Sequence, residues 1–215
     1  MADGRFGTLL TVAPAAVDLP QLLRIAIDAE QVGAARIHLA PDQPDTRRAV
    51  TAIREQTRLV VTADPDGVAA PAADRTGPDF TELVLPASLA GPELLVELAR
   101  IARAHPGAAS VGGRGPASLP VLLAALAVGL HLRVGTADAD RAPTGTAPNG
   151  TAPNEPGPSD RPEPAAPAGP PRIAPAGTPR PADDIALIAR AAGLARIAGR
   201  PPMPIPQARA VLGLD

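Results

Sequence analysis

The sequence predicts an α/β fold with a parallel sheet, and two observations predict it. Six short apolar segments, at 8–13 (TLLTVA), 35–40 (ARIHLA), 58–63 (RLVVTA), 81–86 (TELVLP), 108–113 (AASVGG) and 131–136 (HLRVGT), start 23 or 27 residues apart. That interval holds one strand, one helix and two loops, and most of the stretches between carry apolar residues at helical spacing. Strands that alternate with helices pair in parallel through crossovers. Periodicity leaves open whether the sheet is an open doubly wound one or a barrel.

Each element has its own signals. After the first strand, Asp18 can cap a helix with apolar positions Leu22, Leu23, Ile25, Ala26, Ala29 and Val32, and Gly33 can stop it. After the second, Thr46 is the expected cap, with Val50 and Ile53 inward. The interval 64–80 is rich in Ala, Asp, Pro and Gly, which predicts a short helix or none. Pro92 and Glu93 open the next helix, through Leu94, Leu95, Leu98 and Ile101. Ser118 opens one through Leu122, Leu123 and Leu126.

Residues 139–182 break the pattern. Pro, Ala, Gly and Thr dominate, and GTAPN occurs at 145 and again at 150. Such a segment cannot bury a core, so a disordered, partly polyproline-like tether is expected there. Order is expected to resume at Asp183, with a helical stripe of Ile185, Leu187, Ile188, Ala191, Leu194 and Ile197 ended by Gly199, then a short helix at 206–212. The expected organisation is a core at 1–138, a linker at 139–182 and C-terminal helices at 183–215 packing back on the core.

Composition excludes several chemistries. All 20 basic residues are arginine, so there is no Schiff-base or P-loop lysine. There is no cysteine, hence no thiolate nucleophile, thiolate metal site or disulfide. Tyr and Trp are absent and Phe stands only at 6 and 80, so base-stacking platforms are not expected. A net charge of −2 and a pI near 5.9 give no sign of a nucleic-acid partner. The longest apolar run, 121–132, is too short to span a bilayer, and the N-terminus lacks the pattern of a signal peptide. A cytoplasmic protein with no membrane partner is the expectation.

Chemistry is then left to His, Asp, Glu, Arg, Ser, Thr and the backbone. On the last strand His131, Arg133, Gly135 and Ala137 share a face, and Asp138 follows at the strand end. A buried arginine is costly unless it is paired or aimed into a polar site. The C-terminal ends of parallel strands are where sites form, so Arg133 and Asp138 read either as a site or as a structural ion pair. The glycine-rich loop at 112–116 offers backbone amides to an anion, or is an ordinary turn. His38 shares its strand face with residue 40, where a second histidine would complete a metal clamp; Ala40 stands there. Asp42, Asp64 and Asp66 follow strands, and His105 lies in a His-Pro-Gly turn.

Three separated segments, in order, carry a resemblance. GAARIHLAPDQPDT at 33–46 resembles the GA-x-x-x-HLH-x-RDP-x-T region of the β-keto acid cleavage enzymes, the family of 3-keto-5-aminohexanoate cleavage protein. The stretch ASVGGRGPASLPVLLAALAVGLHLRVGTAD at 109–138 resembles that family's W-S-V-A-G-x-G-R followed by G-G-H-V-R-V-G-L-E-D. LARIAGRPPMPIPQARAVLGLD at 194–215 resembles its closing GR-x-x-A-T-P-x-E-A-R-x-x-LGL. The resemblance implies a TIM barrel that binds a divalent metal, usually zinc, and reacts a β-keto acid with acetyl-CoA to give acetoacetate and a new CoA ester.

Residue by residue, the resemblance makes His38 a metal ligand. It gives Arg133 oxyanion stabilisation and Asp138 proton transfer. Gly113 and Gly115 match its glycine loop, near CoA or substrate. Thr62 and Ser88 fall at strand ends where it places polar substrate contacts. Ala40 replaces the second histidine and Ala137 the glutamate, so two of the three implied ligands are missing, whereas a catalytic zinc takes three. A non-catalytic descendant acting as a binding or interaction module is therefore the alternative to an active transferase. An unrelated phosphate-binding α/β protein using the 112–116 loop is the third reading. A TIM barrel has eight strands in typically ~250 residues. Six βα units imply a shortened barrel, with the gap expected between the fourth strand and the glycine-rich one. Its exposed sheet edges make a homo-oligomer the expected state.

Overall fold

All six strands form inside the segments expected for them, and all run parallel in one sheet. The computed structural model describes residues 7–40, 42–63, 80–115, 118–138 and 181–214. The elements in order are β1 (Leu10–Val12), α1 (Leu19–Val32), β2 (Arg36–Leu39), α2 (Thr46–Gln56), β3 (Val60–Ala63), β4 (Thr81–Leu85), α3 (Gly91–Ala104), β5 (Ala109–Gly113), α4 (Ser118–Ala127) and β6 (His131–Val134). A single 3₁₀ turn at Thr136–Asp138 follows β6, and α5 (Pro181–Ile197) and α6 (Ile205–Val211) complete the chain. No helix among the described residues is long and apolar enough to cross a membrane.

The strand order is β3-β2-β1-β6-β5-β4. The first strand thus pairs with both the second and the last, Thr11 lying opposite Arg36 on one side and Arg133 on the other. The sheet curls into a half-barrel, and a side chain of β4 meets one of β2 across the concave face. The break lies between β3 and β4. This corrects the place expected for the gap, because β4 and β5 pair directly over five positions, Thr81–Ala109 to Leu85–Gly113.

Alternation along each strand sorts the side chains. Leu10, Val12, Ile37, Leu39, Val61, Val111, Leu132 and Val134 face outward and pack with Leu22, Ile25, Val50, Ile53, Leu98 and Ile101 of the helices. The concave face takes the other register, with Thr11, Arg36, His38, Thr62, Glu82, Ser110 and Arg133. The N-terminal ends of the strands are plugged by Leu9, Ala35 and Val60 against Met203, Ala208 and Leu212. The tail that supplies this plug is stitched to the first strand, since Pro201 O accepts from Thr8 N–H at 2.9 Å and Thr8 O accepts from Met203 N–H at 3.1 Å.

Caps follow the sequence with small shifts. Asp18 Oδ1 accepts from Gln21 N–H, and Gly33, at φ +116°, ends α1. For α2 the cap is Asp45, not Thr46: Asp45 accepts from Arg48 N–H, and the Thr46 hydroxyl donates to Gln43 O. The last helical region starts at Pro181, two residues before the expected Asp183. The rest of the tether expectation, together with Asp64, Asp66 and most of the 64–80 interval, lies outside the described residues.

Candidate functional site

The site grows from one consequence of strand alternation. Because Ile37 and Leu39 face the helices, Arg36 and His38 face the concavity. A guanidinium buried there must be satisfied. Arg36 Nε donates to Thr62 Oγ1 at 2.8 Å on β3, and Nη2 donates to Glu82 Oε2 at 2.6 Å on β4. Glu82 also meets Arg133 of β6, Oε1 to Nη1 at 3.1 Å. Arg133 then grips Asp138 through Nε at 3.0 Å and Nη2 at 3.1 Å. The result is an alternating chain, Arg36–Glu82–Arg133–Asp138, with two charges of each sign. His38 turns Nδ1 toward it, 3.2 Å from Thr62 Oγ1, 3.4 Å from Arg36 Nη2 and 3.6 Å from Glu82 Oε2.

Electrostatics fixes these charges. Burial opposes ionisation of Glu82, but Arg36, Arg133 and His38 beside it and the hydrogen bond from Arg36 outweigh that and hold its carboxyl below the usual range. Burial likewise opposes the charge on Arg133, yet Glu82 and Asp138 raise it above the ordinary arginine value. Of the two guanidinium side chains, Arg36 is 3% exposed and Arg133 11%, so Arg133 is the less buried of the two.

Beyond Arg133 the backbone turns sharply. A Cβ on Gly135 would lie 1.9 Å from Ala13 O, so only glycine lets β6 pass β1 there. Thr136 is fixed by Asp184 at the start of α5, whose Oδ1 accepts from Thr136 N–H at 2.7 Å and Oδ2 from its hydroxyl at 2.9 Å. Burial pushes the Asp184 carboxyl up to about 6, with the two Thr136 hydrogen bonds opposing and Asp183 and Asp138 adding to the rise. Gly112 leaves room for the aspartate, since a Cβ there would sit 2.9 Å from Arg133 O and 3.4 Å from Asp138 Oδ2.

The structure therefore brings together His38, Thr62, Arg133 and Asp138. It does not bring in the other candidates. Ser88 is exposed in the turn after β4. Gly113 ends β5 opposite Leu85, and Gly115 follows in a left-handed turn at φ +50°; Gly112 is the glycine that borders Asp138. In the 112–116 loop the Arg114 amide already donates to Leu85 O. His131 shares the strand face of Arg133 but sits at the other end, accepting from Leu9 N–H through Nδ1 and bonding Gly107 O through Nε2. Burial, then the nearby Arg200 charge, lowers its pKa to about 4, so it is a neutral structural residue.

The described residues of this cluster do not offer a divalent metal a ligand set. Among the described residues no three His, Asp or Glu groups come together to hold one. Ala40 and Ala137 offer no side-chain donor atom, and Glu82, 3.6 Å from His38 Nδ1, is already held by two guanidiniums.

Arg36, Glu82 and Asp184 are site residues that sequence reasoning missed. The first two left a signal: Arg36 precedes His38 by two on one strand face, and Glu82 is the sole acid in the six strand segments. Asp184 left none, because an aspartate near a helix start reads as an ordinary cap. Comparison with models of known protein families and with curated proteins finds no match.

Proposed function

We propose that the chain is a shortened relative of the β-keto acid cleavage proteins that binds a small carboxylate, such as a β-keto acid, without a metal and without turning it over. The observation that carries this reading is Glu82. It bridges Arg36 and Arg133, so the carboxylate that could have joined His38 on a metal is neutralised by two cations instead. The sequence resemblance supplies the ligand class, and Arg133, the less buried of the two arginines, supplies the group to hold it. The incoming carboxylate competes with Asp138 for the Nε and Nη2 edge.

The opposing reading, an active transferase that joins a β-keto acid to acetyl-CoA, draws on the retained pair of Arg133 and Asp138. One set of measurements separates the two. Metal content by mass spectrometry is taken on the purified protein and on His38→Ala, and acetoacetate is titrated calorimetrically into the parent and into Arg133→Gln. The expected result is no zinc in either protein and binding that Arg133→Gln abolishes. Near-stoichiometric zinc that His38→Ala removes, or acetyl-CoA-dependent consumption of a β-keto acid, overturns the proposal.

A further inference from the structure

We infer that Asp184, delivered by α5 from beyond residues 139–180, is the positioning residue that sets Asp138 against Arg133. The Thr136–Asp138 turn is three residues long, and a single 3₁₀ turn has too few internal bonds to hold its own shape. Its position has to come from outside. Each of its residues is tied down by a different bond. Ala137 N–H donates outward to Ala13 O at 3.0 Å, whereas Asp138 N–H closes the turn's own bond to Gly135 O at 3.2 Å. Thr136 is tied twice to Asp184, through its amide and its hydroxyl. The same hydroxyl oxygen accepts from Ala15 N–H at 3.0 Å, so the loop after β1, the turn after β6 and the start of α5 meet at one atom.

The chemistry of the clamp suits a carboxylate. Thr136 presents two donors, N–H and O–H, and the carboxylate of Asp184 gives each its own acceptor oxygen. A residue there for packing alone would be apolar, since Asp184 is 1% exposed and an unneeded buried carboxyl is costly. Asp138 lies two residues after Thr136, and its bonds to Arg133 come through two guanidinium nitrogens, a geometry that tolerates little backbone drift.

Positioning of Asp138 is a property of the protein alone; its effect on a bound carboxylate rests on the proposed function above. The test therefore has two readouts. The first is hydrogen exchange of the Arg133 Nε–H, followed by NMR without ligand in the parent, Asp184→Asn and Thr136→Val. Asp184→Asn keeps the shape but swaps an acceptor for a donor, and Thr136→Val keeps the volume but removes the hydroxyl. Exchange about tenfold faster in both variants, with the β2 amides still protected, is the expected result. Unchanged Nε–H exchange in the folded variants overturns the inference, and Thr136→Val decides it alone where Asp184→Asn fails to fold. The second readout is acetoacetate affinity, expected to change in the same variants. A parent that binds no acetoacetate while the Nε–H exchange still accelerates sinks the binding proposal and leaves the positioning role standing.

Discussion

At neutral pH the Asp184 carboxyl, lifted to about 6 by burial, is mostly ionised and held by Thr136. Its folded pKa lies above the ordinary 3.8, so the folded state binds this proton more tightly than the unfolded one. The group's contribution to stability is therefore least favourable above about 6 and recovers as pH falls toward 3.8. His131 runs the other way: its folded pKa of about 4 lies below 6.5, so its contribution is present above 6.5 and lost as pH falls through 4. Each swing is on the order of 3 kcal/mol, and in the parent they offset. Asp184→Asn removes one of them. Measured by urea denaturation, the stability of the variant relative to the parent should fall by on the order of 3 kcal/mol between pH 7 and pH 4. A difference that is constant with pH contradicts the burial-driven shift. At this scale the sequence exposed residues whose role depends on alternation within one strand, namely His38 and Arg133. It hid the Glu82 bridge and the Asp184 clamp, because both are set by which strand or helix arrives from elsewhere.

The strands and helices were more legible than their joints. Runs such as RLVVTA and TELVLP are apolar and β-branched with breakers around them, and β3 and β4 formed inside them. The α2 cap shifted by one residue because Asp45 and Thr46 are both good capping residues and only the entering backbone, left-handed at Asp45 (φ +45°), chooses between them. The seam of β1 with β6 was not legible at all. It closes through Ala13 N–H to Val134 O at 2.8 Å, and it depends on Gly135 having no side chain. A Gly135→Ala substitution places a carbon against the backbone of Ala13, which a rotamer change cannot relieve. The expected loss exceeds about 3 kcal/mol, read as a lower urea midpoint or as insoluble protein. A variant with parental stability contradicts the close approach described at this seam.

For the whole molecule, the sequence conveyed the number of units and their parallel sense but not where the sheet breaks. The strand starts at 58 and 81 are as far apart as those at 35 and 58, so spacing carries no mark of the break between β3 and β4. Only the pairing reveals it. The polar concave face is linked to that shape. The curl brings β2, β4 and β6 close enough for their charges to pair across the concave face.

The tail gives the molecule a last property. The described residues before 139 and after 180 form one compact unit, although 141–178 lie between them in the sequence. They are joined by Thr136 to Asp184, by Thr8 to Pro201 and Met203, and by the four backbone carbonyls that Arg200 gathers from Gly7, Leu126, Gly129 and Leu130. A protease that nicks the chain once inside 141–178 therefore leaves two polypeptides in one particle. They should co-elute on a sizing column and come apart only in urea. Fragments that separate without denaturant would mean that peptide continuity, rather than this set of bonds, keeps the C-terminal helices in place. The same bonds make the protein a natural candidate for expression as two complementing halves.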